Sequence, residues 1–369
     1  MSLKKRKITS DCYKINCRKV WRFMEEKLAL IELTEAHGPS GRENMIHPLL
    51  EKYFSSYGEV WSDNINNLYT LKKGKGNNSI MLLAHSDEIF LMVTEIMDNG
   101  FLKVVSKGID AKTLVSQEVI IHGKKAIKGV IGIKPPHLMS DEEKTGAVTI
   151  EGLLVDTGYS KQSLEKIVEV GDYITLSRNC TELLNNNMAC KCADDRAGIV
   201  AMLSCAKELQ SFNHDLDVYF VCGVQEEVGL RGAKAAAYNI KPKIAIALDT
   251  TFDSGKFGDD DRENELGKGP VICIGPNIHP KVRKRIMNVA RDCDIPFQLE
   301  VEPGSTGTDA WAIQVARDGI PTLLLSIPIK YMHTSVEVVN IDDIKNTGRL
   351  MARFIERLKD EELEDLICF

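Results

Sequence analysis

The chain has 369 residues, 43% hydrophobic and 27% charged, with a formal net charge of −6. That length and apolar content allow a full buried core divided between two domains, which excludes a disordered chain, and the acidic balance argues against a nucleic-acid binder despite the small basic run Lys4 to Lys7. No uninterrupted apolar stretch of about 18 residues occurs and the basic N-terminus lacks the apolar segment of a secretory signal, so the expectation is a cytoplasmic protein with no membrane partner.

From Val20 to Leu33 the apolar residues Trp21, Met24, Leu28 and Ile31 recur every three or four positions, which predicts an amphipathic helix broken by His37-Gly38-Pro39. Ser40 and Glu43 have capping-box spacing ahead of a second helix carrying Ile46, Leu49, Leu50 and Phe54. After the turn-rich loop Lys72 to Asn78, the apolar run Ile80 to Ala84 reads as a buried strand that stops at His85-Ser86-Asp87-Glu88. Between Phe90 and Asn179 the texture changes to short β-type runs separated by glycines: Leu102 to Val105, Val119 to Ile121, Ile127 to Ile133, Val148 to Val155 and Tyr173 to Leu176. These predict a small β-barrel or sandwich.

Because the α/β pattern resumes at Asp194, that segment reads as a domain inserted within another: 20–89 and 181–365 form one domain, and 90–180 the insertion. Cys190 and Cys192 are the one close cysteine pair and are read as structural, while Cys205, Cys222 and Cys273 sit inside apolar runs, as reduced thiols do. Asp195 to Leu209 has helical spacing with acids at its start. Three further strands follow: Val218 to Val224 before Gln225-Glu226-Glu227, Ile244 to Leu248 before Asp249, and Thr322 to Pro328 leading to His333. A last helix after Asn340 buries Ile344, Leu350, Met351, Phe354 and Leu358.

In open α/β sheets ligands sit beyond the carboxyl ends of the strands, so the acids and histidines that end these runs are expected to converge. Taken singly, His85-x-Asp87 or Glu226-Glu227 reads as a polar turn. Together with Asp194, Asp249 and His333 they form a concentration of buried like charge that forces protonation or metal binding. A carboxylate beside a metal-bound imidazole fixes its tautomer, which gives Asp87 that supporting part. Adjacent Glu226 and Glu227 point different ways, so one can ligate while the other acts as a base. Mixed oxygen and nitrogen ligands suit zinc, cobalt or manganese better than calcium.

At these residues the sequence resembles the M42 family of metallo-aminopeptidases, which includes the tetrahedral TET peptidases and proteins often labelled cellulase M. The motifs are Ala84-His85-Ser86-Asp87-Glu88-Ile89, Lys191 to Gly198, Val224 to Ala233, Gly307-Thr308-Asp309-Ala310 and Tyr331-Met332-His333-Thr334, with Ile131 to His137 inside the insertion. The resemblance implies two divalent ions, zinc or cobalt first and manganese as the alternative, with Asp194 bridging, His85 and Asp249 completing one site and Glu227 and His333 the other. Glu226 would be the general base, and Asp87 joins it in the catalytic group. It further implies a phosphorylase/hydrolase-like zinc-peptidase domain of α/β class, an inserted PDZ-like β-barrel that serves oligomerisation, a peptide substrate, and a dimer-based homo-oligomer up to a dodecamer. Departures from the family pattern are Trp311 and Phe90, expected to reshape the pocket, Lys330, Ser335, and about twenty residues before the usual start. Two other activities compete with the aminopeptidase. One is an N-acyl amino acid deacylase with the same centre; the other is an endoglucanase, which needs opposed carboxyl groups and no metal.

Overall fold

The four apolar runs that end in acids and histidines form neighbouring parallel strands at the middle of one sheet. The computed structural model describes residues 25–141, 145–253 and 264–368. The run Lys4 to Lys7 and the expected first turn of the Val20 helix lie outside them, and helix is present from 25 to 35. Across the main path of the sheet the strands run Glu59–Ser62, Leu68–Lys72, Asp217–Gly223, Ser79–His85, Ile244–Phe252, Thr322–Lys330, Glu337–Asn340, Asn187–Cys190 and Thr181–Glu182. Val271–Ile274 and Gln298–Val301 pair off this path, the first against Thr322–Lys330.

The central strands are buried along almost their whole length, which is why their sequences read as continuous apolar runs rather than alternations. Register then decides which side chains meet. Gly223 pairs with His85, Ala247 with Leu83 and Asp249 with Ser326. Asp249 and His85 each lie two residues beyond the Ala247–Leu83 pair, so both emerge at the same height of the sheet. The helix Ala193–Glu208 packs on Ser79–His85 and Ile244–Phe252 and is itself covered by Ile341–Glu356. Residues 193–206 of the inner helix are all buried, as expected of a helix enclosed on every side.

The inserted segment is a closed barrel in the order Phe90–Ile96, Leu102–Lys107, Leu153–Asp156, Ala126–Ile133, Glu118–His122 and Tyr173–Leu176, closing where Leu91 pairs with Ile174. Its interior, including Leu102, Val119, Ile121, Val155 and Ile174, forms a core separate from that of the main sheet. Closure decides between the barrel and sandwich readings. The run Val148 to Val155 is only half strand: Ile150–Gly152 is a 3-10 turn, and pairing with Ala126–Ile133 begins at Leu153.

The capping box does not form. Ser40 Oγ donates instead to Asp87 Oδ2 at 2.6 Å, and Glu43 Oε1 accepts from the backbone N–H groups of Gly41 and Gln225. Both side chains are drawn to buried polar groups of the site, and the second helix starts through a 3-10 turn Glu43–Met45 before His47–Phe54.

Gly348 sets the approach of the two stacked helices, because a Cβ there would lie 2.6 Å from Ala201 O and 2.6 Å from Ser204 Cβ. Gly348→Ala should therefore cost about 1–3 kcal/mol of stability in urea unfolding, the range for overpacking a core. An unchanged midpoint would mean that the helices part without penalty.

Candidate metal centre

His85 is the last residue of its strand, Asp249 lies past the middle of Ile244–Phe252, and Asp194 stands at the entry to the inner helix. Glu227 follows the strand Asp217–Gly223, and His333 follows Thr322–Lys330. Ligand atoms of His85, Asp194 and Asp249 all lie within 4.8 Å of one another, and so do those of Asp194, Glu227 and His333. Asp194 belongs to both groups through different oxygens: His85 Nε2 is 3.3 Å from Oδ1, and His333 Nε2 is 3.4 Å from Oδ2. His333 Nε2 is also 3.3 Å from Glu227 Oε1. Five residues spread from position 85 to position 333 thus meet in two triads that share one carboxylate.

The backbone that delivers them is unusual. Cys192, Gln225, Leu230, Tyr331 and His333 all have φ between 56° and 61°, a region non-glycine residues enter at a cost of about 1–3 kcal/mol and hold where the surroundings over-determine it. Buried carboxylates provide the hold at Cys192, Gln225 and His333. Glu337 accepts from the N–H of Asp194 at 3.1 Å and of His333 at 2.7 Å, so one side chain fixes a residue from each triad. Asp87 accepts from the N–H of Glu226 at 3.1 Å and of Glu227 at 3.2 Å while lying 3.5 Å from His85 Nδ1, an electrostatic contact too long for a good hydrogen bond. Glu88 is neutralised by Lys191 at 2.7 Å and Arg196 at 3.2 Å and accepts from Cys192 Sγ.

A cavity of about 600 Å³ opens on the triads and is lined by His85, Asp194, Glu226, Glu227, Asp249 and His333, among others. Asp87 is fully buried and lies outside this lining, where it holds the backbone of Glu226 and Glu227 beside His85. Two expectations about the pocket need correction. Trp311 is 42% exposed and Phe90 packs on the Tyr173 ring within the barrel, and neither lines the cavity. Glu337 was missed in the sequence as a working residue. Glu337 falls four positions after His333, where a long acid on a buried strand was the available signal.

Burial and crowding leave these groups far from their ordinary protonation. Burial, with the charges of Asp194 and Glu226 added, pushes the Asp249 carboxyl well up. Burial also pushes Asp195 well up, Glu226 up to about 9 and Glu337 up to about 8. Burial opposes charge on His85, but Asp194 and Asp87 outweigh it and push the ring well up; Asp194 and Glu227 push His333 up to about 11. For Asp194 burial is likewise outweighed, by His333 and His85, so its carboxyl stays ionised. The metal-free chain thus collects protons wherever the two triads need positive charge. Oxygen and imidazole donors within reach of one point are a fitting set for divalent cations, which would replace those protons.

A family model described as M42 glutamyl aminopeptidase matches residues 66–350. The lysyl aminopeptidase of Pyrococcus furiosus is 37% identical over 351 residues, covering 92% of this chain and 97% of that protein. Among solved structures, an aminopeptidase from the archaeon Desulfurococcus kamchatkensis superposes with a TM-score of 0.87 at 36% identity, covering 94% of this chain and 99% of that one. The Pyrococcus horikoshii TET1 peptidase, which can assemble into a tetrahedron or a large octahedral shell, gives 0.80 at 31% identity, covering 91% of this chain and 100% of that one.

The protonation pattern has a pH consequence. Raised carboxyls favour their neutral form in the fold and raised histidines their charged form, so above about pH 4 the metal-free native state holds more protons than the unfolded chain. Its stability should fall as pH rises, the carboxyl contribution being lost first and the histidine contribution above about pH 6.5. Added zinc or cobalt displaces those protons, so the gain in Tm on metal addition should grow from about pH 5 to about pH 8. Calorimetry of chelated and metal-loaded protein measures this, and a gain that is flat or shrinks with pH would contradict it.

Proposed function

The chain belongs to the M42 glutamyl aminopeptidase family, and on that premise we propose that it removes N-terminal residues from peptides with a dinuclear metal centre. The observation that carries this reading is the pair of triads joined through Asp194, with Glu226 beside them in the cavity but in neither triad. In the proposed assignment Asp194 would be shared by two ions, with His85 and Asp249 completing one site and Glu227 and His333 the other. Zinc or cobalt is favoured and manganese is the alternative. When bound, such ions supply Lewis acidity to the scissile carbonyl and to water.

Glu226 is the general base of the reaction. It takes a proton from the attacking water and returns it to the leaving amine; burial favours its protonated form, which suits the return, and the positive charge of bound cations would lower its proton affinity for the first transfer. Asp87 holds the backbone of Glu226 and Glu227, so the base keeps its distance from the ligands. The substrate's free amino group lies against the carboxylates of the centre, which distinguishes this reaction from deacylation of an N-acyl amino acid. The carboxylates come grouped with histidines rather than as an opposed pair, which disfavours the endoglucanase reading.

Segments 20–89 and 181–365 are assigned to a phosphorylase/hydrolase-like catalytic domain, and 90–180 to a PDZ-like barrel that mediates assembly. The eight described cysteines are free thiols, which supports a cytoplasmic location. No helix among the described residues is long and apolar enough to cross a membrane. Since solved TET relatives are dodecamers or larger shells, dimers should be the minimum unit and a dodecamer the end state. Sedimentation at micromolar concentration tests this, and a monomer would refute it.

Glu226→Gln keeps size but cannot take a proton, so turnover of a free peptide should fall about 10²–10⁴-fold with metal content unchanged. Glu227→Gln should lose metal from one site and recover part of its activity in excess metal. Peptide turnover and elemental analysis of both variants side by side decide the roles. Metal loss in Glu226→Gln with retention in Glu227→Gln would reverse them, and full activity in both would remove this centre from the chemistry. An acetylated peptide should not turn over; turnover of that peptide alone would favour the deacylase.

A further inference from the structure

Where the chain leaves the barrel and rejoins the main sheet, two cysteines face each other. The last barrel strand ends at Leu176, Ser177 N–H still bonds Glu118 O, and Cys180 closes the short connection that follows. Thr181–Glu182 then forms the edge of the sheet, with Thr181 opposite Ala189 and Glu182 opposite Met188 of the strand Asn187–Cys190. Continued by one residue, that register sets Cys180 opposite Cys190.

Hydrogen bonding fixes the kind of pair this is, because bonded and non-bonded pairs alternate along an antiparallel ladder. Leu183 N–H donates to Asn187 O at 2.8 Å, which makes that pair bonded, Thr181–Ala189 the next bonded one, and Cys180–Cys190 non-bonded. The Cys180 N–H agrees, since it points off the ladder and donates to Glu35 Oε1 at 3.0 Å. Non-bonded pairs hold their Cα atoms about 4.5 Å apart with the side chains close, inside the range of about 4.4–6.8 Å that a disulfide spans. Both thiols are free, and they interact: Cys190 holds the Cys180 thiol below its ordinary value against the effect of burial, while Cys180 and burial together push the Cys190 thiol well up. Cys180 is half-buried and Cys190 buried, so solvent reaches the thiol that ionises first.

We propose that Cys180 and Cys190 are a peroxide-responsive pair that closes to a cross-strand disulfide, reopens with a dithiol, and when closed braces the junction between barrel and sheet. The Cys180 thiolate attacks the O–O bond of the peroxide; its sulfur is oxidised to a sulfenic acid, and the departing hydroxide takes up the proton that Cys180 lost. The Cys190 sulfur then displaces the sulfenic hydroxyl, which leaves with the Cys190 proton as water. Two thiols and one hydrogen peroxide thus give one disulfide and two waters. The brace adjoins a support of the metal centre, because Cys190 is paired on its other side with Glu337, whose carboxylate accepts from the N–H groups of Asp194 and His333. Cys192, two residues on, is engaged elsewhere: its thiol donates to Glu88 Oε2 at 3.0 Å and accepts from Lys191 Nζ at 3.3 Å.

The test treats the full-length, zinc-loaded protein with hydrogen peroxide under native conditions, alkylates the remaining thiols in denaturant, and maps tryptic peptides by mass. Cleavage after Arg178 and Lys191 leaves both cysteines in the one peptide 179–191, while Cys192 falls in 192–196. The expected product is peptide 179–191, unalkylated and two hydrogens lighter than its dithiol form, with both thiols restored by dithiothreitol. The oxidised protein should melt about 2–5 °C above the reduced one, and Cys180→Ser should lose that gain. Three results would overturn the pairing: peptide 179–191 joined to 192–196 or to another cysteine peptide, Cys180 carried on to a sulfinic acid beside an unreacted Cys190, or both thiols intact at a peroxide dose that oxidises the exposed Cys368. A disulfide that forms without raising Tm would overturn the brace.

Discussion

The carboxylate of Asp194 is the point on which the rest of the site is hung. Its two oxygens face two histidines that arrive from strands on different parts of the sheet, and each oxygen belongs to a separate triad. A carboxylate shared in this way makes the two triads one object. It also explains the investment around it: Glu337 fixes the backbone of both Asp194 and His333, and Asp195 accepts from Gly198 N–H to start the helix immediately after. Any movement of the inner helix against the sheet would open both triads together, which is why that helix is buried on all sides.

Charge is arranged in layers around this point. At the centre the negative groups exceed the positive ones, and the deficit is what a cation fills. One layer out, Glu88 is balanced by Lys191 and Arg196, all fully buried. Arg196 also donates to the carbonyl groups of Leu33 and Ala36, tying the end of the helix at 25–35 to the site. The outer layer thus satisfies its own charges and leaves the inner one with an excess of negative groups.

Much of this was legible in the sequence because the chemistry sits where strands end. Continuous apolar runs gave the parallel strands, and the residue directly after a run (His85, Asp249) or a few positions further on (Glu227, His333) reached the centre, although choosing Glu227 over Glu226 needed the family resemblance. The residues that hold them were harder. Glu337 opens a strand whose next residues Val338 and Val339 are apolar, and although a buried acid there is a signal, the local pattern does not say that it bonds the backbone of Asp194 and His333. Ser40 and Glu43 misled for a related reason: their spacing satisfies a local rule, but a buried carboxylate and a strained backbone turn compete for them more strongly. The first strand of the barrel, Phe90–Ile96, was not among the predicted runs, although the insertion was placed to begin at Phe90.

The barrel begins immediately after the first ligand segment and ends shortly before the second, so His85 and Asp194 are 109 residues apart in sequence and 3.3 Å apart in space. Closing so long a loop is slow and entropically costly if the intervening chain is unstructured. A barrel with its own core removes most of that length from the search, because once its six strands close the two ends that carry the ligands are delivered side by side. In the folded chain the closed barrel thus acts as a splint that holds the two ends of a long insertion together, so the sheet sees a short connection where the sequence has a long one.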